Sequence, residues 1–287
     1  MKNTMNNTQK NFTNISGLGQ VADGYDAALV DIWGVLHNGR DAFPAAIEAL
    51  QRFRAERGPV VLISNSPRPS IAIPAQFDEV GVPHDVYDAI VTSGDATIDE
   101  LARRAPGPAF KLGPERDDKL YEDLALNFTE LEHAKFITCT GLFDDDNETP
   151  DDYTELLGQA RELNIPMVCA NPDVRVKKGD KMIYCGGALA QAYEDMGGEV
   201  IYAGKPYDAI YRLSRAWLKE LNGFEIDRSR IIAIGDNIHT DLLGAQNQKY
   251  DALFVADGLD AGNADAVANV LEKHGIYVKY MLSTLSW

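Results

Sequence analysis

Four short segments of this chain put carboxylates, hydroxyls and a lysine where apolar runs end. Asp31 closes the run Tyr25-Asp26-Ala27-Ala28-Leu29-Val30 and is followed by Ile32-Trp33-Gly34. That places a carboxylate at the C-terminal tip of a buried strand, just before a glycine turn, where open α/β sheets bind ligands. Ile63-Ser64-Asn65-Ser66-Pro67 ends a second run; as a helix N-terminus it would offer a hydroxyl and free backbone N–H groups to a phosphate. Tyr202-Ala203-Gly204-Lys205-Pro206 sets one lysine after a third run, where its ammonium can neutralise a phosphate or an attacking carboxylate. Gly235-Asp236-Asn237-Ile238-His239-Thr240-Asp241 follows a fully apolar strand with two carboxylates five residues apart. Hard oxygen ligands of this kind suit Mg²⁺, which keeps several waters and takes one or two protein carboxylates plus phosphate. Each segment alone has a plainer reading: a turn aspartate, an N-cap serine, a solvated lysine, an acidic turn with a capping aspartate.

The elements that must hold these side chains alternate along the chain. Strand-like runs occur at Val60–Ile63, Ala89–Val91, Phe136–Cys139, Met167–Ala170, Val200–Tyr202 and Ile231–Ile234. Helical spacing of apolar residues runs through Pro44 to Glu56, Asp151 to Leu163 and Asp208 to Leu221, and acidic residues open the second of these. Strand–helix alternation predicts an α/β fold with mostly parallel sheets. Roughly 140 residues separate the Asp31–Ser64 pair from the Lys205–Asp236 pair, too many for a simple connection and enough for an inserted domain. Residues 105–108, Ala-Pro-Gly-Pro, and residues 196–198, Met-Gly-Gly, read as the linkers. The expected organisation is a tail at 1–16, a core at 17–106 and 198–287, and an insert at 107–197.

Bulk properties narrow the partners. The chain has 287 residues, room for one or two domains, and a formal net charge of −17. So acidic a surface argues against nucleic acid or an anionic membrane, and an anionic substrate would need local positive charge or a bound cation. No apolar stretch approaches the roughly 20 residues of a spanning helix. Met1 to Ser16 is rich in Asn and Thr and lacks the apolar stretch of a signal peptide, so it reads as a disordered tail and the sequon Asn11-Phe12-Thr13 as a compositional accident. Cys139, Cys169 and Cys185 have no metal-type spacing and read as reduced thiols of a cytoplasmic protein. Phe143-Asp144-Asp145-Asp146-Asn147-Glu148 resembles a calcium loop in charge only and reads as a solvated loop. There is no GxxxxGK[ST] and no HExxH.

In order and spacing, the four segments resemble the four motifs of the haloacid dehalogenase superfamily. Further segments resemble its NagD-like branch, with p-nitrophenyl phosphatase and pyridoxal phosphatase. These are Gly34-Val35-Leu36 with Gly39 and Phe43-Pro44-Ala45, Thr92-Ser93-Gly94, Ala170-Asn171-Pro172-Asp173, Cys185-Gly186-Gly187-Ala188-Leu189 and Gly204-Lys205-Pro206. The match spans the chain except its tail and last ~20 residues. The resemblance implies a Rossmann-like core with a large α/β cap inserted between the second and third motifs. It implies that Asp31 attacks phosphorus to form an aspartyl-phosphate. Asp31, Asp236 and the backbone carbonyl of Trp33 would hold Mg²⁺, with Asp241 supporting that shell. Ser64 and the Asn65 region would bind phosphate oxygens, and Lys205 would stabilise charge on Asp31 and the phosphoryl group. The partner implied is a small phosphate ester, and fold-level analogy adds a homodimer formed through the cap.

The chain departs from the family at Trp33, where the phosphatase pattern Asp-x-Asp-Gly has its second aspartate. That residue protonates the leaving alcohol and then activates water; an indole has one N–H donor and no base. General acid–base assistance is worth ~10²–10⁴-fold, or about 3–5 kcal/mol of barrier. The expectation is a phosphomonoester hydrolase slowed at this step, unless His37 or His239 substitutes. The alternatives are a phosphotransferase and a catalytically silent sensor of a phosphorylated metabolite.

Overall fold

The computed structural model describes residues 12–178, 181–256 and 264–287. Thirteen strands are found among them: β1 (Thr13–Asn14), β2 (Ala27–Asp31), β3 (Val60–Ser64), β4 (Ala89–Thr92), β5 (Ala109–Leu112), β6 (Phe136–Cys139), β7 (Met167–Cys169), β8 (Arg175–Lys178), β9 (Lys181–Tyr184), β10 (Val200–Tyr202), β11 (Ile231–Gly235), β12 (Asp251–Val255) and β13 (Tyr280–Leu282). The helices are α1 (Pro44–Glu56), α2 (Ile73–Val80), α3 (Ser93–Arg104), α4 (Thr154–Glu162), α5 (Gly186–Asp195), α6 (Asp208–Asn222), α7 (Leu243–Gln248) and α8 (Ala264–Lys273).

One sheet runs β1-β13-β12-β11-β2-β3-β4, and every pair in it is parallel. Its central strands are buried on both faces, which is why they read as continuous apolar runs. In β2, Ala27 and Leu29 face a cluster built with Ile210, Tyr211 and Leu218 of α6. Ala28 and Val30 face the opposite cluster, with Ala46, Ala49, Leu50 and Phe53 of α1. The chain winds outward from β2 through β3 and β4 on one side, and from β11 through β12 and β13 on the other. The order therefore reverses between β2 and β11, the kind of switch point where doubly wound sheets bind ligands.

A second parallel sheet, β10-β7-β6-β5, carries its own cores, and β8 and β9 form an antiparallel hairpin beside it. Residues 105–108 lead from α3 into β5. The return differs from the sequence reading, which ended the insert at residue 197. Val200–Tyr202 pairs with Met167–Cys169, so this sheet extends to Tyr202. Gly197 is a turn residue at the end of α5, with φ +81° and its N–H on the Glu194 carbonyl, and not a crossing between bodies. The tail also needs correction over residues 12–16. Phe12 is buried in the main core, and Thr13–Asn14 add a short strand to the β13 edge, with Thr13 and Ile15 donating to the Lys279 and Met281 carbonyls. Residues 1–11 lie outside the described part. Asp151 to Leu163 is a 3₁₀ turn, Pro150–Tyr153, capped by Thr149 and Asp152, followed by α4.

Candidate active site

Parallel pairing in register brings the chemical side chains to one edge of the first sheet. Asp31 ends β2 opposite Ile63, Ser64 ends β3, and Asp236 follows the last residue of β11. Lys205 lies on the segment leading from β10 back to α6, and its side chain is buried among the carboxylates. Its Nζ lies 2.6 Å from Asp31 Oδ1 and 2.7 Å from Asp241 Oδ1. Asp31, Lys205 and Asp241 expose only 7%, 2% and 6% of their surface, so these ion pairs are poorly screened.

Backbone devices bring in the other two acids. After β11 the chain makes a π-helical turn, Ile238–Leu242, whose entry is capped by the Asn237 side chain on the His239 N–H. The turn carries Asp241 back so that its Oδ2 accepts from the Asn237 N–H at 3.1 Å. Gly235 permits this, because a Cβ there would lie 2.3 Å from the Asp241 Cβ. Gly34, at φ +85°, performs the same service for Asp236: a Cβ at residue 34 would lie 2.0 Å from Asp236 Oδ2. Asp31, Asp236 and Asp241 thus offer carboxylate oxygens within 4.8 Å of one another.

The cluster carries more negative charge than Lys205 can offset. Burial, then the Asp241 carboxylate, pushes the Asp31 carboxyl up to about 7 despite Lys205. Burial, then Asp31 and Asp241, pushes the Asp236 carboxyl up to about 9. Burial disfavours the Lys205 ammonium, but Asp241, Asp31 and Asp173 outweigh it and hold it protonated. Three converging hard oxygen donors with surplus charge, in a cradle that a side chain at residue 34 would fill, fit a divalent cation such as Mg²⁺.

Ser64 and Trp33 open onto a cavity of about 330 Å³ between the two sheets. The Asn65 side chain is committed inward. Its Oδ1 accepts from the Lys205 N–H at 2.7 Å, and its Nδ2 donates to Asp173 Oδ1 at 2.9 Å and to the Lys205 carbonyl at 3.2 Å. Trp33 forms part of the cavity wall, with Gly39 against its ring, and its Nε1 donates to the Lys177 carbonyl on β8 at 2.9 Å. His37 is buried behind Trp33 and, held neutral by burial, is depressed to about 4. His239 is exposed and packs edge-on against His274. The second sheet's side of the cavity brings residues that sequence reasoning did not single out for the site: Arg116, Asp117, Thr140, Asp145 and Asp173, with Arg68 from the first body. The available signal was positional, since Asn171-Pro172-Asp173 follows the β7 tip as Asp31 ends β2. The acidic run Asp144-Asp145-Asp146, read as a solvated loop, sends Asp145 to the cavity wall, paired with Arg116.

The profile of haloacid dehalogenase-like hydrolases matches residues 28–127, and a related HAD-hydrolase-like profile matches residues 202–276. A haloacid dehalogenase-like hydrolase from Brucella suis 1330 superposes with a TM-score of 0.86 at 41% identity, covering 94% of this chain and 98% of that one. The chain belongs to the haloacid dehalogenase-like family. The first match takes in Asp31 and Ser64 and the second takes in Lys205, Asp236 and Asp241, so this haloacid dehalogenase-like hydrolase has its four acid, serine and lysine segments inside family-matched sequence. A 4-nitrophenylphosphatase from Thermotoga maritima shares the fold at 20% identity, with a TM-score of 0.67 over 92% of this chain and 96% of that one. An acid sugar phosphatase of Staphylococcus epidermidis is 22% identical over 238 residues, covering 82% of this chain and 88% of the relative. No helix among the described residues is long and apolar enough to cross a membrane.

Proposed function

We propose that this chain is a Mg²⁺-dependent hydrolase of small phosphomonoesters, with Asp31 as nucleophile. The observation that carries this reading is the buried Asp31 carboxylate at the tip of β2, 2.6 Å from Lys205 and clustered with Asp236 and Asp241. The 4-nitrophenylphosphatase and acid sugar phosphatase names of similar proteins support the same class. Asp31, Asp236, Asp241 and the backbone carbonyl of Trp33 would hold Mg²⁺, which when bound supplies charge neutralisation at the phosphoryl oxygens. Asp31 attacks phosphorus, and the ester oxygen leaves. Lys205 favours the ionised form of Asp31 and orients it, and neutralises charge on the transferring group. Ser64, with backbone of the Asn65 segment, positions the phosphate; the Asn65 amide itself fixes Lys205. Phosphoryl transfer depends mainly on such positioning and charge compensation. The arrangement favours catalysis over a silent sensor, because phosphate binding alone does not require a carboxylate aimed at phosphorus. Nor does Trp33 act as acid or base, its one N–H being engaged by Lys177.

The test is steady-state hydrolysis of p-nitrophenyl phosphate. Activity should require a divalent cation and fall by at least ~10³-fold in Asp31→Asn, which removes the attacking charge at nearly constant shape. A purified Asp31→Asn protein that turns over at the wild-type rate, with deamidation excluded by mass, would end the nucleophile assignment.

A further inference from the structure

Trp33 leaves the hydrolase reading without a proton donor for the leaving group, and the cavity holds three carboxylates outside the clustered acids: Asp117, Asp145 and Asp173. Two of them face an arginine. Arg116 holds Asp145 through two contacts, at 2.7 and 3.3 Å. Asp117 faces Arg68 at 3.6 Å. Asp173 has no ion-pair partner among the described residues. Its Oδ1 accepts from Asn65 Nδ2 at 2.9 Å, and no hydrogen bond among the described residues engages Oδ2.

Asp173 is also fixed in place and linked by hydrogen bonds to the Asp31–Lys205 pair. Its N–H donates to Asn171 Oδ1 at 3.1 Å, and its carbonyl accepts from the Gly187 N–H at 3.0 Å. A Cβ at Gly187 would lie 2.6 Å from that carbonyl oxygen, so α5 packs directly on this turn. Through Asn65 it connects to the Lys205 backbone, and the Lys205 ammonium touches Asp31. Its charge acts on Asp31, Asp236 and Lys205. Burial raises the Asp173 carboxyl above the ordinary carboxylate range, against the opposing effects of Lys205 and Asn65, which favours a form able to donate a proton.

We propose that Asp173, carried by the turn after β7, is the catalytic acid and base that stands in for the aspartate absent at position 33. The inference rests on the hydrolase reading. In the first step an Asp31 oxygen bonds to phosphorus, the P–O bond to the alcohol breaks, and the departing oxygen takes the proton from Asp173. The products are free alcohol, aspartyl-phosphate at Asp31 and an Asp173 carboxylate. In the second step that carboxylate takes a proton from water as its oxygen bonds to phosphorus. The bond between phosphorus and Asp31 breaks, releasing inorganic phosphate, an Asp31 carboxylate and protonated Asp173.

The experiment compares wild type, Asp173→Asn and Asp31→Asn on p-nitrophenyl phosphate and n-propyl phosphate, with Mg²⁺, in single and multiple turnover. With n-propyl phosphate, Asp173→Asn should lose ~10²–10⁴-fold in the first turnover, because an alkoxide leaves poorly without a proton. With p-nitrophenyl phosphate it should keep a burst of nitrophenol within about tenfold of wild type. Steady state should then slow, and intact-protein mass should show phosphoenzyme accumulating. Equal losses on both esters without phosphoenzyme would make Asp173 a positioning residue for Asn65 and overturn the proposal; unchanged rates would also overturn it. Should Asp173→Asn fail to fold, a leaving-group series on wild type decides: rates nearly independent of leaving-group basicity support a general acid, and rates that fall steeply with it overturn one. A wild type whose activity Asp31→Asn abolishes keeps the hydrolase reading whatever Asp173 does. Inactivity of wild type on both esters removes the two together.

Discussion

His37 accepts the Gly39 N–H at Nδ1, so its neutral ring carries a proton on Nε2, where no partner among the described residues meets it. Burial lowers its pKa to about 4. In the unfolded chain an imidazole titrates near 6.5. Between these values the unfolded state binds a proton that the folded state does not. Stability should therefore be fully present above about pH 6.5 and fall as pH drops toward 4, by roughly 3 kcal/mol from this residue. His37→Asn keeps an acceptor for Gly39 and removes the titration. Urea unfolding at pH 4.5 and pH 7 should show a decrement about 2–3 kcal/mol smaller in His37→Asn than in wild type. The same decrement in both proteins would contradict a buried neutral imidazole. The ring is thus better read as a wall behind Trp33 than as a replacement base. Sequence offered no way to separate these uses, because burial of a lone histidine depends on distant partners such as Phe77, whose ring packs edge-on against it.

Turns do at the level of elements what the parallel strands cannot do alone. Strand tips deliver Asp31 and Ser64, while the glycine turn after β2 and the π-helical turn after β11 make room for Asp236 and bring Asp241 back to it. Gly34 and Gly81 provide a matched comparison. Both have positive φ, +85° and +81°, but a Cβ at Gly34 meets Asp236 at 2.0 Å and one at Gly81 meets nothing within 4 Å. Alanine at either should cost about 1 kcal/mol in backbone strain. Only Gly34→Ala should weaken Mg²⁺ binding, by roughly tenfold or more if about 1.4 kcal/mol of ligand displacement is involved. Calorimetric titration with Mg²⁺ and thermal melts on both variants separate the two effects; equal metal affinities would mean that the Asp236 carboxylate does not ligate. The apolar runs behind β2, β3, β4, β6, β7 and β11 and the periodicity of α1 and α6 were legible, because a doubly covered strand and an amphipathic helix each write their burial locally. Sheet membership was not. Val200–Tyr202 has the same apolar character whichever sheet it joins, and Thr13–Asn14 is a strand only because β13 leaves an edge open.

Across the whole molecule, the two sheets meet through a few side-chain links that close the cavity: Asn65 to Asp173, Arg68 to Asp117, and Trp33 to the Lys177 carbonyl. None was readable from sequence, since each joins residues distant in the chain whose meeting depends on how the inserted sheet lies over the first. The Trp33 link is the one that reaches the β8–β9 hairpin. At position 33 the chain has a packing and tethering residue. Trp33→Phe keeps an aromatic wall beside Gly39 and His37 but removes the N–H. A single hydrogen bond is worth about 0.5–1.5 kcal/mol, so local opening of the hairpin should become roughly 2–13-fold more frequent. Amide exchange in β8 and β9 should rise by that factor while exchange in β2, β3 and β11 stays unchanged, because their burial does not involve the indole N–H. The global melting transition should hardly move for the same reason. Exchange that rises uniformly over both sheets would show that Trp33 supports the core and not the hairpin, and exchange that stays constant everywhere would show that the hairpin is held by its own pairing alone.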